Sequence, residues 1–361
     1  MAFGSVAAAA CDRRENWQVA MVIPLQGPAG LFGPSCEAIT ELAARELNAE
    51  GGILGREVTF QVVDGGAPPR VVAAELNDLI EAGRVDAVSG WHISSVRNAL
   101  APVVADRVPY SYTALYEGGE SRPGIFCSGE VPHLQIAPAL KWLRDNLGIR
   151  RWFVVGDDYV WPHESSVAVR DFAHELQLRI EGEAFVGLGT GDLDRLIRLV
   201  RAADCDGVLM LLVGQDAVEF NRRFARAGLH ERLVRFSPLM EENMLLASGL
   251  EATKNLFVSA AYFRSMVNAD AMDLLGRYVG LHGLQAPALN NAAESCYEGL
   301  HTLASLARRA GTARLPELNA AIDGVAYHGP RGTVEFHGPQ ARQHVHLAVA
   351  DGYDFDVITR L

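Results

Sequence analysis

The sequence predicts an α/β protein of two similar lobes, each built on a central parallel sheet. Two observations predict it. Short apolar runs alternate with stretches of helical length and periodicity, and the alternation passes along the chain twice. The chain is also 361 residues long, more than most single hydrophobic cores organise, so two domains are expected.

The elements follow in order. A first strand is expected over 18–23, centred on VAMVI, and Pro24 to Gly30 is a loop. A helix follows over EAITELAARELNAEGG, where Ile39, Leu42, Ala43 and Leu47 form an apolar stripe and Gly51-Gly52 stop it. Then come strand 58–64, helix 69–82, strand 87–89, helix 94–105 and strand 108–112. Near 124–129 a second series opens: helix 136–147, strand 151–155, helix 164–177, strand 179–185, helix 192–203, strand 207–212 and helix 217–227. Strand 257–261 leads to a long helical stretch over 270–309 and a helix over 314–323, and strand character returns at 332–336 and 345–350.

Bulk properties exclude several classes. Hydrophobic residues are 49% and charged residues 21%, the composition of a globular protein. The formal net charge is -12, which opposes direct binding to nucleic acid. No apolar run reaches the roughly 20 residues of a membrane span. At the start, MAFGSVAAAACDRRE has no basic residue before Ala7 and only a short run of small residues, so a cytoplasmic location is expected. The alternative is an extracytoplasmic lipoprotein anchored at Cys11, since Ala-Ala-Ala-Cys11 resembles a lipoprotein cleavage box. The five cysteines are odd in number and contain no CxxC, so neither a disulfide framework nor a zinc site is signalled.

Open parallel sheets bind ligands beyond the carboxyl ends of their strands. Three of the loops there are rich in aromatic or hydroxyl groups: GWHISS (90–95), YTALYEGGE (112–120) and GDDYVWPHES (156–165). Tyr159 and Trp161 stand out, because bulky aromatics just past a buried strand are better placed for a ligand than for a core.

The succession GWHISSVRNALAPV, YTALYEGGE, GDDYVWPHES and AAYF resembles the type I periplasmic-binding-protein superfamily, and most closely its amide- and urea-binding branch. The branch includes amide-sensing regulators of aliphatic amidase operons and the binding proteins of urea and short-amide ABC transporters. The resemblance runs from about Trp17 to the tail and includes LNAEGGILGR and YHGPRGTVEF. It implies two Rossmann-like lobes joined by three crossovers, with the ligand in the cleft between them. Residues 1–16 are then a tail or remnant signal, 17–127 plus 261–328 one lobe, and 128–260 plus 329–361 the other.

The resemblance also implies the site. The family's Tyr-x-Ser falls on His92-Ile93-Ser94, its Tyr-Pro-Thr on Tyr112-Thr113-Ala114, and its paired tyrosines on Tyr159 and Trp161. His92 and Ala114 depart from the family's residues. Ser95, Tyr116, Gly214 and Glu241 are secondary candidates. Aromatic faces with a few hydroxyls and helix N–H groups suit a small, neutral, planar ligand such as an amide or urea. Neither catalytic residues nor a cofactor or metal are expected: there is no G-x-G-x-x-G between strand and helix, no phosphate loop and no nucleophile elbow. His344 and His346 share one side of a strand without a third ligand in view. The expected protein is a non-enzymatic sensor of a short amide or urea acting on a regulator protein, with the substrate-binding protein of an ABC transporter for urea, short amides or branched-chain amino acids, working with a permease, as the alternative and a homodimer as a further possibility.

Overall fold

The computed structural model describes residues 16–361. The expected N-terminal tail, apart from Asn16, and the box ending at Cys11 lie outside the described residues.

The chain builds two sheets and passes between them three times. Strands β1 (Asn16–Ile23), β2 (Glu57–Asp64), β3 (Ala87–Gly90), β4 (Tyr110–Tyr112) and β5 (Ile125–Cys127) form the parallel part of the first sheet, in the order β5-β4-β3-β1-β2. The chain then crosses to the second sheet, where β6 (Arg151–Asp157), β7 (Arg179–Val186), β8 (Gly207–Leu211), β9 (Val234–Ser237) and β10 (Leu256–Ala260) are parallel in the order β10-β9-β8-β6-β7. It returns to the first sheet with β11 (Ala326–Gly329), β12 (Gly332–His337) and β13 (Gln340–Arg342), and β13 pairs with β5. It ends in the second with β14 (His346–Asp351) and β15 (Asp354–Arg360). Both sheets are therefore mixed, parallel centrally and antiparallel along one edge.

The helices cover the sheets. In chain order they are α1 (Gly33–Ala49), α2 (Pro69–Glu81), α3 (Ser94–Val104), α4 (Pro132–Leu147), α5 (Val160–Glu175), α6 (Leu193–Ala202), α7 (Gln215–Arg226), α8 (Glu242–Ser248), α9 (Leu250–Thr253), α10 (Ala269–His282), α11 (Asn291–Ala310) and α12 (Leu315–Ala321). Every residue of β8 and β10 is buried, which is why those strands read as unbroken apolar runs rather than alternating ones. The α1 stripe at Ile39, Leu42, Ala43 and Leu47 is buried, and the helix packs on α11.

Three features differ from the sequence expectation. The helical stretch over 270–309 is two helices, because α10 stops at Gly283 in a left-handed conformation and α11 restarts where the Asn290 side chain caps the Ala293 N–H at 2.9 Å. Strands β5, β9, β11, β13 and β15 were not anticipated. In β9 the apolar run is interrupted by Arg235, which is fully buried and satisfied by the Asn221 amide oxygen at 2.5 Å and the Ala252 carbonyl at 2.6 Å. The third passage between sheets lies over 343–345 and not at 328/329, since β12 and β13 extend the first sheet.

Candidate functional site

The carboxyl ends of β3 and β4 build one wall. Gly90 closes β3 at φ 121 and lies so close to the Val22 backbone that a Cβ there would overlap its carbonyl. The turn through Trp91, His92 and Ile93 then opens α3 at Ser94. No side chain caps this helix, and the Val96 and Arg97 N–H groups are taken by the Ile93 carbonyl at 2.9 and 3.2 Å. The first N–H groups of a helix have no partner within it, so those of Ser94 and Ser95 stand ready for a guest.

Side-chain protons on this wall are already assigned. The Ser94 hydroxyl donates to Glu117 Oε2 at 2.6 Å, and the Tyr112 hydroxyl donates to the His92 carbonyl at 2.8 Å. Toward the cleft both oxygens therefore offer lone pairs. The second Glu117 oxygen accepts from Arg97 at 2.6 Å, and Arg97 also meets Glu120 at 3.4 Å. Arg122 reaches the same Glu120 carboxylate at 3.6 Å, so two guanidiniums balance the two carboxylates. Arg97 lies over the rings of Tyr112 and Tyr116, at 5.2 and 4.6 Å from their centroids.

His92 braces the wall rather than facing the guest. It is fully buried; Nδ1 donates to the Val22 carbonyl at 3.0 Å, so Nε2 accepts from the Tyr110 hydroxyl. Burial pushes its pKa down to about 3, holding the ring neutral. Tyr116 is likewise engaged, its hydroxyl donating to Gln340 Oε1 at 2.5 Å. Ala114 is buried, with Gly129 packed against its carbonyl.

The opposite wall comes from the second lobe. Asp157 ends β6 pointing inward and accepts the Val213 N–H at 2.7 Å, whereas Asp158 points outward to His163 at 2.6 Å. Tyr159 is partly buried in extended backbone just before α5. Trp161 sits in the first turn of α5, 3% exposed, with its ring centroid 6.3 Å from that of Tyr159. The expected aromatic loop is thus a helix start, and Trp161 carries core packing as well.

The two walls are closed on each other. Asn243 donates to the Leu31 carbonyl of the other lobe at 2.7 Å, and α3 packs on α5. Pro28 of the first lobe abuts Gly189 and Gly214 of the second; a Cβ on Gly214 would run into the Pro28 carbonyl. Burial raises the pKa of the Tyr159 hydroxyl, and Asp157 beside it with Tyr112 and Glu117 across the cleft raise it further. Of the residues singled out from sequence, Ser94, Ser95 and Tyr112 stand at the start of α3 and the end of β4 on the first lobe, Tyr159 and Trp161 at the start of α5 on the second, and Gly214 meets Pro28 between the lobes. Glu241 is elsewhere: it accepts the Asn291 N–H at 2.8 Å, beside the second passage between lobes. Arg97 and Glu117 were missed as participants, although Arg97 lies one helical turn beyond Ser94.

A periplasmic binding protein family profile matches residues 16–352, nearly the whole chain. The chain belongs to the periplasmic binding protein family. Solved structures agree in fold. A solute-binding protein of an ABC transporter from Rhodopseudomonas palustris, in complex with 3,4-dihydroxybenzoic acid, is 18% identical with a TM-score of 0.82, over 96% of this chain and 98% of that one. The branched-chain amino acid transporter substrate-binding protein of Streptococcus pneumoniae, in complex with isoleucine, is 16% identical with a TM-score of 0.80, over 95% and 99%. A leucine-binding protein from Thermotoga maritima is 18% identical with a TM-score of 0.81, over 96% and 98%. This binding protein is accordingly non-enzymatic, a member of a family of small-solute binders that typically work outside the cytoplasm. The expected cytoplasmic location finds no support in that family. No helix among the described residues is long and apolar enough to cross a membrane.

Proposed function

We propose that this chain is the extracytoplasmic solute-binding component of an ABC transporter, and that its solute is a small uncharged molecule with one planar polar group, a short amide or urea. The observation that carries the ligand class is the pairing of two unspent N–H groups at the start of α3 with the lone pairs of Ser94 and Tyr112, whose protons go to Glu117 and the His92 carbonyl. An amide or urea offers a carbonyl to the first set and N–H groups to the second within one plane. Glu241, a secondary candidate from sequence, is held by the Asn291 N–H and is not free to receive an amino-acid ammonium.

The transport role replaces the regulator expected from sequence, because the matched structures named by role are transporter binding proteins. Its partner is then a permease, and the lobes close on the solute by hinge motion. Thermal shift and calorimetry with acetamide, propionamide, urea, leucine and 4-hydroxybenzoate test the ligand class. A rise in melting temperature with an amide or urea, and none with the two acids, is expected. Binding of leucine or 4-hydroxybenzoate with no response to amides or urea overturns it.

A further inference from the structure

The first lobe holds a polar cavity, partly open to solvent, that shares no residue with the cleft. Its volume is about 110 Å³, and its lining includes Asp270, Asp273, Arg277, Glu298, His301 and His328. Glu298 is 1% exposed, yet neither carboxylate oxygen has a hydrogen-bond partner among the described residues. It lies against Gly329, where any side chain would collide with Oε1. His301 follows one turn later on α11, so the two side chains share a helix face, and its Nε2 is also buried without a partner.

Charge points the same way. Glu294, buried one turn before Glu298, is taken by Arg331, whose Nε donates to it at 2.6 Å. Arg331 is the buried cation of this cluster, so one carboxylate is left over. An uncompensated buried carboxylate costs several kcal/mol, and is neutralised either by a proton or by a bound cation. At the mouth stand two further carboxylates, Asp270 held by His328 at 3.0 Å and Asp273 held by Arg277 at 2.9 Å. The cavity has room for an ion and two or three waters at roughly 30 Å³ each.

We propose that this cavity is a divalent-metal site, with Glu298 and His301 as its protein ligands, water completing the shell, and Asp270 and Asp273 drawing the ion in. A carboxylate with a neutral imidazole suits a borderline cation, Zn²⁺ first, better than Mg²⁺ or Ca²⁺, which prefer oxygen alone. A bound ion neutralises the buried Glu298 carboxylate and adds stability to the first lobe.

The test is Zn²⁺ uptake by the metal-stripped full chain at neutral pH, read by equilibrium dialysis and elemental analysis. Uptake of one tight equivalent is expected, with His301→Ala and Glu298→Gln each weakening it by at least ~10-fold. His230, Glu231 and Glu251 on the second lobe are the one group of described residues whose ligand atoms already lie mutually close, so His230→Ala serves as the control and is expected to change nothing. Anomalous scattering at the zinc edge locates the ion in the unaltered protein, independent of whether the Glu298 variant folds. A peak beside Glu298 and His301 supports the site. A peak at His230, uptake indifferent to both variants, or no uptake because the two glutamates share a proton, overturns it.

Discussion

Ser94 shows how a hydroxyl's role is set by the destination of its proton. Because Glu117 receives it, Ser94 meets the guest as an acceptor. Replacing Glu117 with Ala frees that proton and removes one negative charge; the affinity for 4-hydroxybenzoate relative to acetamide is expected to rise about 10-fold, measured by calorimetry. Tyr159 and Trp161 separate by burial. Tyr159→Ala, at a half-buried ring, is expected to weaken ligand binding with a smaller loss of stability, whereas Trp161→Ala costs about 3–5 kcal/mol of folding free energy by urea denaturation. Glu242 supplies a pH dependence. Burial raises its pKa to about 7, so the folded chain keeps a proton that the unfolded chain loses near pH 4.5. Stability then falls as pH rises from there through 7, by about 3 kcal/mol in all, of which about 1 lies between pH 6 and 8. Glu242→Gln is expected to show a shallower decline in urea midpoint between pH 6 and 8. A steeper one contradicts the assignment. At this scale the sequence read residue type well and residue role poorly. His92 and Tyr112 are neighbours in the same wall, but only the fold reveals that one ring is spent on Val22 and Tyr110 while the other keeps a lone pair.

Among the elements, the central parallel strands were legible because burial on both faces writes itself as apolar runs, as in VAMVI and GVLML. The edge strands were not. β11, β13 and β15 are short or half exposed, and β9 hides a charged residue that its neighbours satisfy. The break between α10 and α11 was marked by Gly283, Pro287 and Asn290, but the helical periodicity on either side masked it. The loops that close the cleft give a prediction at this scale. A Cβ at Gly214 meets the Pro28 carbonyl of the other lobe, and the position also has φ 50. Gly214→Ala is expected to hold the lobes apart. Small-angle scattering should show an expanded molecule in the presence of ligand, and affinity should fall about 10-fold or more as the closed form is depopulated. Unchanged affinity and radius would show that this contact does not limit closure.

For the whole molecule, the acidic balance and the absence of phosphate-binding loops directed the reading toward a small solute. The two-lobed architecture was recoverable from the repeated strand-helix alternation, while its interleaving needed the family resemblance: strands distant in sequence complete each sheet, and periodicity alone does not report which sheet they join. That interleaving makes the lobes one hinged device, with the α3 start on one side and the Tyr159 and Trp161 rings on the other. A crystal structure of the protein with a bound short amide or urea tests the central claim most directly. The account predicts the guest's carbonyl on the Ser94 and Ser95 N–H groups, its N–H groups on Ser94 and Tyr112, and its face against Tyr159 or Trp161. A guest seated outside this space, or anchored there by an ion pair with a side chain, would contradict it.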